Sequence, residues 1–237
     1  MPSTRASSAA RSTLGWPSAA EPRSCSAPIP LAPGSYSAVP YAPVVRPLDL
    51  AALGEGEPLV LDDLLGAPAA DGIRAAVLEA EVQGRLHPAG LGRTRARQEE
   101  LRSDLHGWID PDDADPRLAP LLGFFAELRV RLSREAFLGL RRFEVQAAVY
   151  HEGCGYVRHA DAFRGGPSRR VTAIYYANPE WTPRDGGELC CWPSAAALTI
   201  EPRHDRMVVF LSERLEHEVR PVTRGPRVAV TAWYWGP

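Results

Sequence analysis

The 237-residue chain contains no lysine; all 27 basic residues are arginine, set against 29 acidic ones for a net charge of −2. That balance gives none of the cationic surplus that nucleic acid or an anionic membrane would attract, so neither is expected as a partner. Cysteine is scarce: Cys25, Cys154, Cys190 and Cys191 form no CxxC pair, which argues against a structural zinc site. Cys190 and Cys191 read as small core residues with reduced thiols, as in a cytoplasmic protein. No apolar stretch is long enough to span a membrane, and none has the form of a secretory signal core. Acidic residues are almost missing from the first 46 positions, where only Glu21 occurs among many Ser, Ala and Pro. Such a segment buries too little to offset its ordering entropy, so residues 1–46 are expected to be a disordered leader. The Arg- and Ser-rich start also suits an organelle transit peptide, but its prolines oppose the amphipathic helix that would need.

What is present suffices for one domain, expected over residues 47–237. Hydrophobic residues make up 45% of the chain, enough for a core. Leu59-Val60-Leu61 reads as a short strand and Ala69 to Arg85 as a helix. A second helix is expected from Pro116, with Leu118, Leu121, Leu122, Phe125, Leu128 and Leu132 on one face. Residues 87–103, with Arg93, Arg95, Arg97 and Arg102, read as a long basic loop. After Arg142 the period changes to two: Phe143, Val145, Ala147 and Val149 alternate with Glu144, Gln146 and Ala148. Strands are expected near 142–150, 156–161, 170–177, 187–192, 196–201, 206–211, 216–222 and 227–235. Eight short strands separated by turn residues suit a jelly roll with its β core over 142–236 and helices in support, a mainly β, α+β class. Cys190 and Cys191, adjacent in one strand, should point to opposite faces.

The chemistry concentrates near the C-terminus, in His159-Ala160-Asp161, His217 and Arg227. Two imidazoles and a carboxylate can occupy one face of a metal and leave the opposite positions open, the arrangement of non-haem Fe(II) oxygenases. In a strand, residues two apart point the same way, which would align His159 with Asp161. His217 must then come from a second strand, and a strand returning beside that one would carry Arg227 over the same pocket. A guanidinium fork there suits a carboxylate co-substrate, which a lysine could not grip equally. His87, His106, His151 and His204 are assigned structural or surface roles.

The surrounding motifs resemble the 2-oxoglutarate/Fe(II)-dependent oxygenases of prolyl 4-hydroxylase type, in particular the hypoxia-inducible-factor prolyl hydroxylases and their bacterial relatives. Tyr156-Val-Arg-His-Ala-Asp161 is similar to their first ligand strand and Val171 through Asn178 to the next. Trp181, Gly186-Gly187-Glu188-Leu189, Ile200-Glu201-Pro202, Asp205-Arg206, His217-Glu218-Val219 and Arg227 through Tyr234 follow in the same order. Upstream, Leu101 through Ile109 is similar to the family's Arg-Gly-Asp…Trp segment, with Ser103 in place of glycine. The resemblance covers roughly residues 58–236 and implies a double-stranded β-helix. It implies that His159, Asp161 and His217 bind Fe(II), that Arg227 pairs with the distal carboxylate of 2-oxoglutarate, and that Tyr176 adds a hydrogen bond. It further implies that Tyr150 and Thr231 line the co-substrate pocket and that Trp233 stands near the iron. The corresponding activity is hydroxylation of a prolyl residue in a protein or peptide by a monomer. O₂ would be the second co-substrate and L-ascorbate the reductant. In the resembling family the segment matching 87–103 is a mobile flap. The alternatives are an oxygenase of the same fold acting on a free amino acid or other small molecule, and a non-catalytic jelly-roll binding module. A halogenase is disfavoured because Asp161 is present.

Overall fold

The period-two pattern after Arg142 becomes two antiparallel sheets in the computed structural model, which describes residues 48–89, 101–162, 169–194 and 196–236. The expected leader, residues 1–46, lies outside the described residues, as do Arg93, Arg95 and Arg97 of the basic loop. The chain enters through α1 (Leu50–Glu55), β1 (Leu59–Leu61) and α2 (Ala67–Val82), then β2 (His87–Pro88) and β3 (Leu105–Ile109). After α3 (Ala119–Glu135) come β4 (Arg142–Tyr150), β5 (Tyr156–His159), β6 (Arg169–Tyr176) and β7 (Leu189–Trp192). The chain closes with β8 (Leu198–Ile200), β9 (Arg206–Leu211), β10 (Glu216–Val219) and β11 (Arg227–Trp235).

A larger sheet has the order β1-β9-β6-β11-β4-β3-β2 and a smaller one the order β5-β10-β7-β8. From β4 onward the chain passes back and forth between them, apart from the β7–β8 pair within the smaller sheet, in the manner of a jelly roll. Side-chain alternation then decides what each strand faces. On β11, Val228, Val230, Ala232 and Tyr234 pack against α2 and α3 in one apolar cluster, together with Val145, Ala147 and Val149 of β4 and Val171, Ala173 and Tyr175 of β6. The opposite parity, Ala148, Tyr150, Ile174, Tyr176 and Ala229, fills the space between the two sheets with Val208 and Phe210 of β9. The larger sheet is thus apolar on both faces, and its candidate site residues, Tyr150, Tyr176, Arg227, Thr231 and Trp233, share the inward parity.

Several expected boundaries shift. The helix expected over 69–85 runs Ala67–Val82 and stops where Gly84 turns with φ +70. The helix expected from Pro116 begins as a 3-10 turn, Pro116–Leu118, started by the Asp115 carboxylate accepting from the Arg117 amide. Strands expected at 156–161, 187–192, 196–201 and 216–222 are shorter at one or both ends. Asp161 therefore lies in a bend beyond β5 rather than on it. β11 does not neighbour β10: Arg227 pairs with Tyr150 in the larger sheet, while His217 pairs with His159 and Cys191 in the smaller one. Arg227 reaches the pocket from the facing sheet, not from an adjacent strand. β3 falls in a segment not expected as strand. Its Gly107 is required by packing, since a Cβ there would lie 2.7 Å from the Arg85 carbonyl oxygen. Cys190 and Cys191 are free and buried; Cys191 joins the inter-sheet cluster, while Cys190 faces Thr199 at 3.7 Å.

Candidate metal centre and co-substrate pocket

His159 and His217 face each other across the β5–β10 ladder, with ring centroids 4.3 Å apart. Each ring is oriented by its other nitrogen. His159 Nδ1 lies 2.8 Å from the Val157 carbonyl and His217 Nδ1 3.2 Å from the Leu215 carbonyl. A carbonyl only accepts, so both Nδ1 atoms carry the proton and both Nε2 lone pairs are free to bind a metal. Those Nε2 atoms sit 3.6 Å from Asp161 Oδ1 and 3.7 Å from Asp161 Oδ2 respectively. Tyr156 stacks on His159 at 3.6 Å and Phe210 meets His217 edge-on at 4.9 Å, which restricts both rings.

His159, Asp161 and His217 place one ligand atom each within 4.8 Å of one another. Such spacing accommodates a shared ion about 2.0–2.2 Å from each N or O donor. Burial alone would raise the Asp161 carboxyl, but the His217 and His159 imidazoles and the Trp233 indole N–H hold it well below the usual carboxylate range. Burial lowers His217 despite the opposing pull of Asp161. The centre is therefore an ionised carboxylate with a histidine kept neutral, the protonation that metal ligation requires. Two imidazole nitrogens and one anionic oxygen so close together fit Fe(II) with open positions.

The same cavity is walled by Tyr150, Thr231, Trp233 and Arg227. Arg227 is buried; its Nε donates to the Gly187 carbonyl at 2.7 Å, and its guanidinium carbon lies 4.9 Å from the Tyr150 ring and 5.0 Å from the Tyr176 ring. No carboxylate among the described residues pairs with it. The buried Tyr176 hydroxyl faces Arg227 but meets no well-formed hydrogen-bond partner among the described residues, and burial pushes it up to about 12 although Arg227 pulls it down. A buried cation without a counter-ion beside an unsatisfied hydroxyl is costly on its own. The distal carboxylate of a dicarboxylic acid would satisfy both groups, so the residues fit 2-oxoglutarate. The expected residues thus converge, with Tyr176 beside Arg227 rather than on the cavity wall.

Other residues in and around the pocket had been given no site role from the sequence. Arg102 forks onto Asp104 at 2.5 and 2.8 Å and donates to Gln146 at 2.7 Å. It also lies 5.1 Å from the Tyr156 ring and so braces the ring stacked on His159. Thr172 and Trp233 both donate to Asp161 Oδ2, at 2.8 and 2.9 Å. The period-two pattern marks Gln146 and Thr172 as polar residues on an inward face, which is the signal that could have found them.

A jelly roll holding two histidines, one carboxylate and an unpaired arginine in one cavity defines a non-haem metal oxygenase architecture. Comparison with known proteins agrees. The description 2OG-Fe(II) oxygenase superfamily matches residues 145–235. The chain is 31% identical to mouse prolyl hydroxylase EGLN3 over 188 residues, covering 74% of this chain and 77% of that protein. It spans about half the length of longer curated relatives, 54% and 46%. Among solved structures, a *Pseudomonas putida* prolyl-4-hydroxylase superposes with a TM-score of 0.72 at 31% identity, covering 79% of this chain and 97% of that one. A *Trichoplax adhaerens* prolyl hydroxylase, solved with a hypoxia-inducible-factor oxygen degradation domain peptide, gives 0.69 at 28% identity, covering 78% and 86%. The chain belongs to the 2OG-Fe(II) oxygenase superfamily. It is an oxidoreductase of the prolyl hydroxylase type, a 2-oxoglutarate- and Fe(II)-dependent dioxygenase. The small-molecule and non-catalytic alternatives find no support in these comparisons.

Proposed function

We propose that this chain hydroxylates a prolyl residue of a protein substrate, with His159, Asp161 and His217 holding Fe(II) and Arg227 holding 2-oxoglutarate. The observation that carries the reading is the shared cavity: the His-Asp-His group and a guanidinium with no counter-ion among the described residues open into the same space. Iron supplies an oxidation coupled to decarboxylation of 2-oxoglutarate to succinate, with O₂ as the oxidant. The protein's own residues orient and exclude water. Arg227 and Tyr176 take the distal carboxylate, Tyr150 and Thr231 line its path, and Trp233 shields the metal side. L-ascorbate as reductant, a monomeric state and a cytoplasmic location complete the proposal; among the described residues no helix is long and apolar enough to cross a membrane.

A protein rather than a small molecule as substrate is supported by what surrounds the site. Leu101, Trp108 and Val157 are exposed, and Trp108 packs 5.8 Å from Trp233, which bonds Asp161. Exposed apolar side chains beside a reactive centre favour coverage by a polypeptide. The test measures succinate formation from 2-oxoglutarate and compares the proteomes of a deletion strain and its parent by mass spectrometry. The expected result is a peptide whose proline gains one oxygen only in the parent. A parent proteome with no such proline, alongside turnover on a free amino acid, overturns the protein-substrate reading.

A further inference from the structure

The two oxygens of Asp161 meet different surroundings. Oδ2 accepts from Thr172 Oγ1 at 2.8 Å and from Trp233 Nε1 at 2.9 Å and lies 3.7 Å from His217 Nε2, whereas Oδ1 lies 3.6 Å from His159 Nε2. Thr172 Oγ1 in turn lies 2.8 Å from Ser212 Oγ, and both residues are fully buried. A hydroxyl carries a single proton, and an ionised carboxylate only accepts. Thr172 must direct its proton to Asp161, so the proton between the two hydroxyls belongs to Ser212. The direction of the relay follows: Ser212 donates to Thr172, and Thr172 donates to Asp161.

The need for such a relay comes from the fold. Asp161 lies in a bend past the end of β5 and receives no orientation from a ladder. Its donors are anchored instead. Thr172 pairs with Phe210 and with Trp233 across β6, β9 and β11. Ser212 follows β9 directly, and its amide donates to the Arg170 carbonyl at 3.1 Å. We propose that Ser212 and Thr172 are positioning residues that hold Oδ2 and so fix the orientation of the Asp161 carboxylate toward the two histidine nitrogens. The proposal rests on the iron reading above and adds to it two residues that do not touch the ion.

The experiment titrates the metal-free full-length protein with Co(II) and records affinity, the visible spectrum at saturation and the melting temperature. Partners of metal ligands are typically worth about 10–100-fold in metal affinity. Thr172→Val, which keeps the shape and removes the hydroxyl, should weaken Co(II) binding by about tenfold or more and shift the spectrum at saturation. Thr172→Ser should restore both. Ser212→Ala should act in the same direction but less, and Ser212→Ala combined with Thr172→Val should match Thr172→Val alone, because Ser212 works through Thr172. A parental spectrum and affinity in Thr172→Val, or additive losses in the double variant, overturns the relay while leaving the iron reading intact. Should Thr172→Val fail to fold, parental affinity and spectrum in Ser212→Ala overturn it equally. A parent protein that takes up no Co(II) overturns the metal reading and the relay together.

Discussion

Asp161 contributes the carboxylate of the proposed centre, and its removal separates ligation from folding. Asp161→Ala should abolish metal binding in a Co(II) titration while the far-ultraviolet circular dichroism stays parental, because the apolar clusters do not include it. Arg227 acts on the other component. Losing a charge-assisted bond to a buried carboxylate costs roughly 1.5–3 kcal/mol, so Arg227→Ala should weaken 2-oxoglutarate binding on the order of 10–100-fold. Metal affinity should change much less, as calorimetry on the metal-loaded protein would show. Equal 2-oxoglutarate affinity in variant and parent would remove Arg227 from the co-substrate site. Acid should release the metal, since protons compete for histidine nitrogens. The lowered His217 places its own protonation below the ordinary histidine range.

Elements matter here because strands carry the site from two sheets and turns set the distances between them. Gly187 shows the constraint. It turns with φ +74, and a Cβ there would lie 2.7 Å from Arg227 Cδ. Gly187→Ala should therefore displace the arginine and weaken 2-oxoglutarate binding while leaving Co(II) affinity near parental, which the two titrations distinguish. Asp205 performs the comparable task for the helical layer. Its carboxylate accepts from the Leu65 and Gly66 amides and the Tyr175 hydroxyl at 2.7–2.9 Å, joining the start of α2 to β6 and β9. Asp205→Ala leaves those donors unsatisfied and should cost on the order of 3 kcal/mol in urea unfolding. An unchanged midpoint would show that the loop before α2 finds other acceptors.

At the scale of the whole molecule, metal binding and folding are linked. The ligands are drawn from β5, the bend after it and β10, and they converge only when the smaller sheet is closed. Metal at 100 times its dissociation constant should stabilise the protein by about 2.7 kcal/mol. The melting temperature should rise accordingly in the parent and not in Asp161→Ala. The domain proposal is tested at the same scale. A protein lacking residues 1–46 should melt at the parental temperature and turn over 2-oxoglutarate at the parental rate; a truncation that unfolds would make the leader part of the domain.

The strands from Arg142 to Trp235 were legible in the sequence because side-chain parity is a local property of a strand: the alternation was plain over 142–150, and turn residues marked the rest without any partner being known. The proposed ligands and Arg227 were legible chiefly through the ordered motifs around them that resemble the family, since metal and carboxylate chemistry only limits which residue types can serve. Which sheet each strand joins was not local. Arg227 was expected beside His217 and instead faces it from the opposite sheet, a placement that depends on long-range pairing with Tyr150. Asp161 was expected to share a strand with His159; the strand ends first, and hydrogen bonds from Thr172 and Trp233 orient the carboxylate instead. Local pattern determined which residues could act, and tertiary pairing alone decided from where each one reaches the pocket, because ladder register and side-chain hydrogen bonds join residues far apart in the chain.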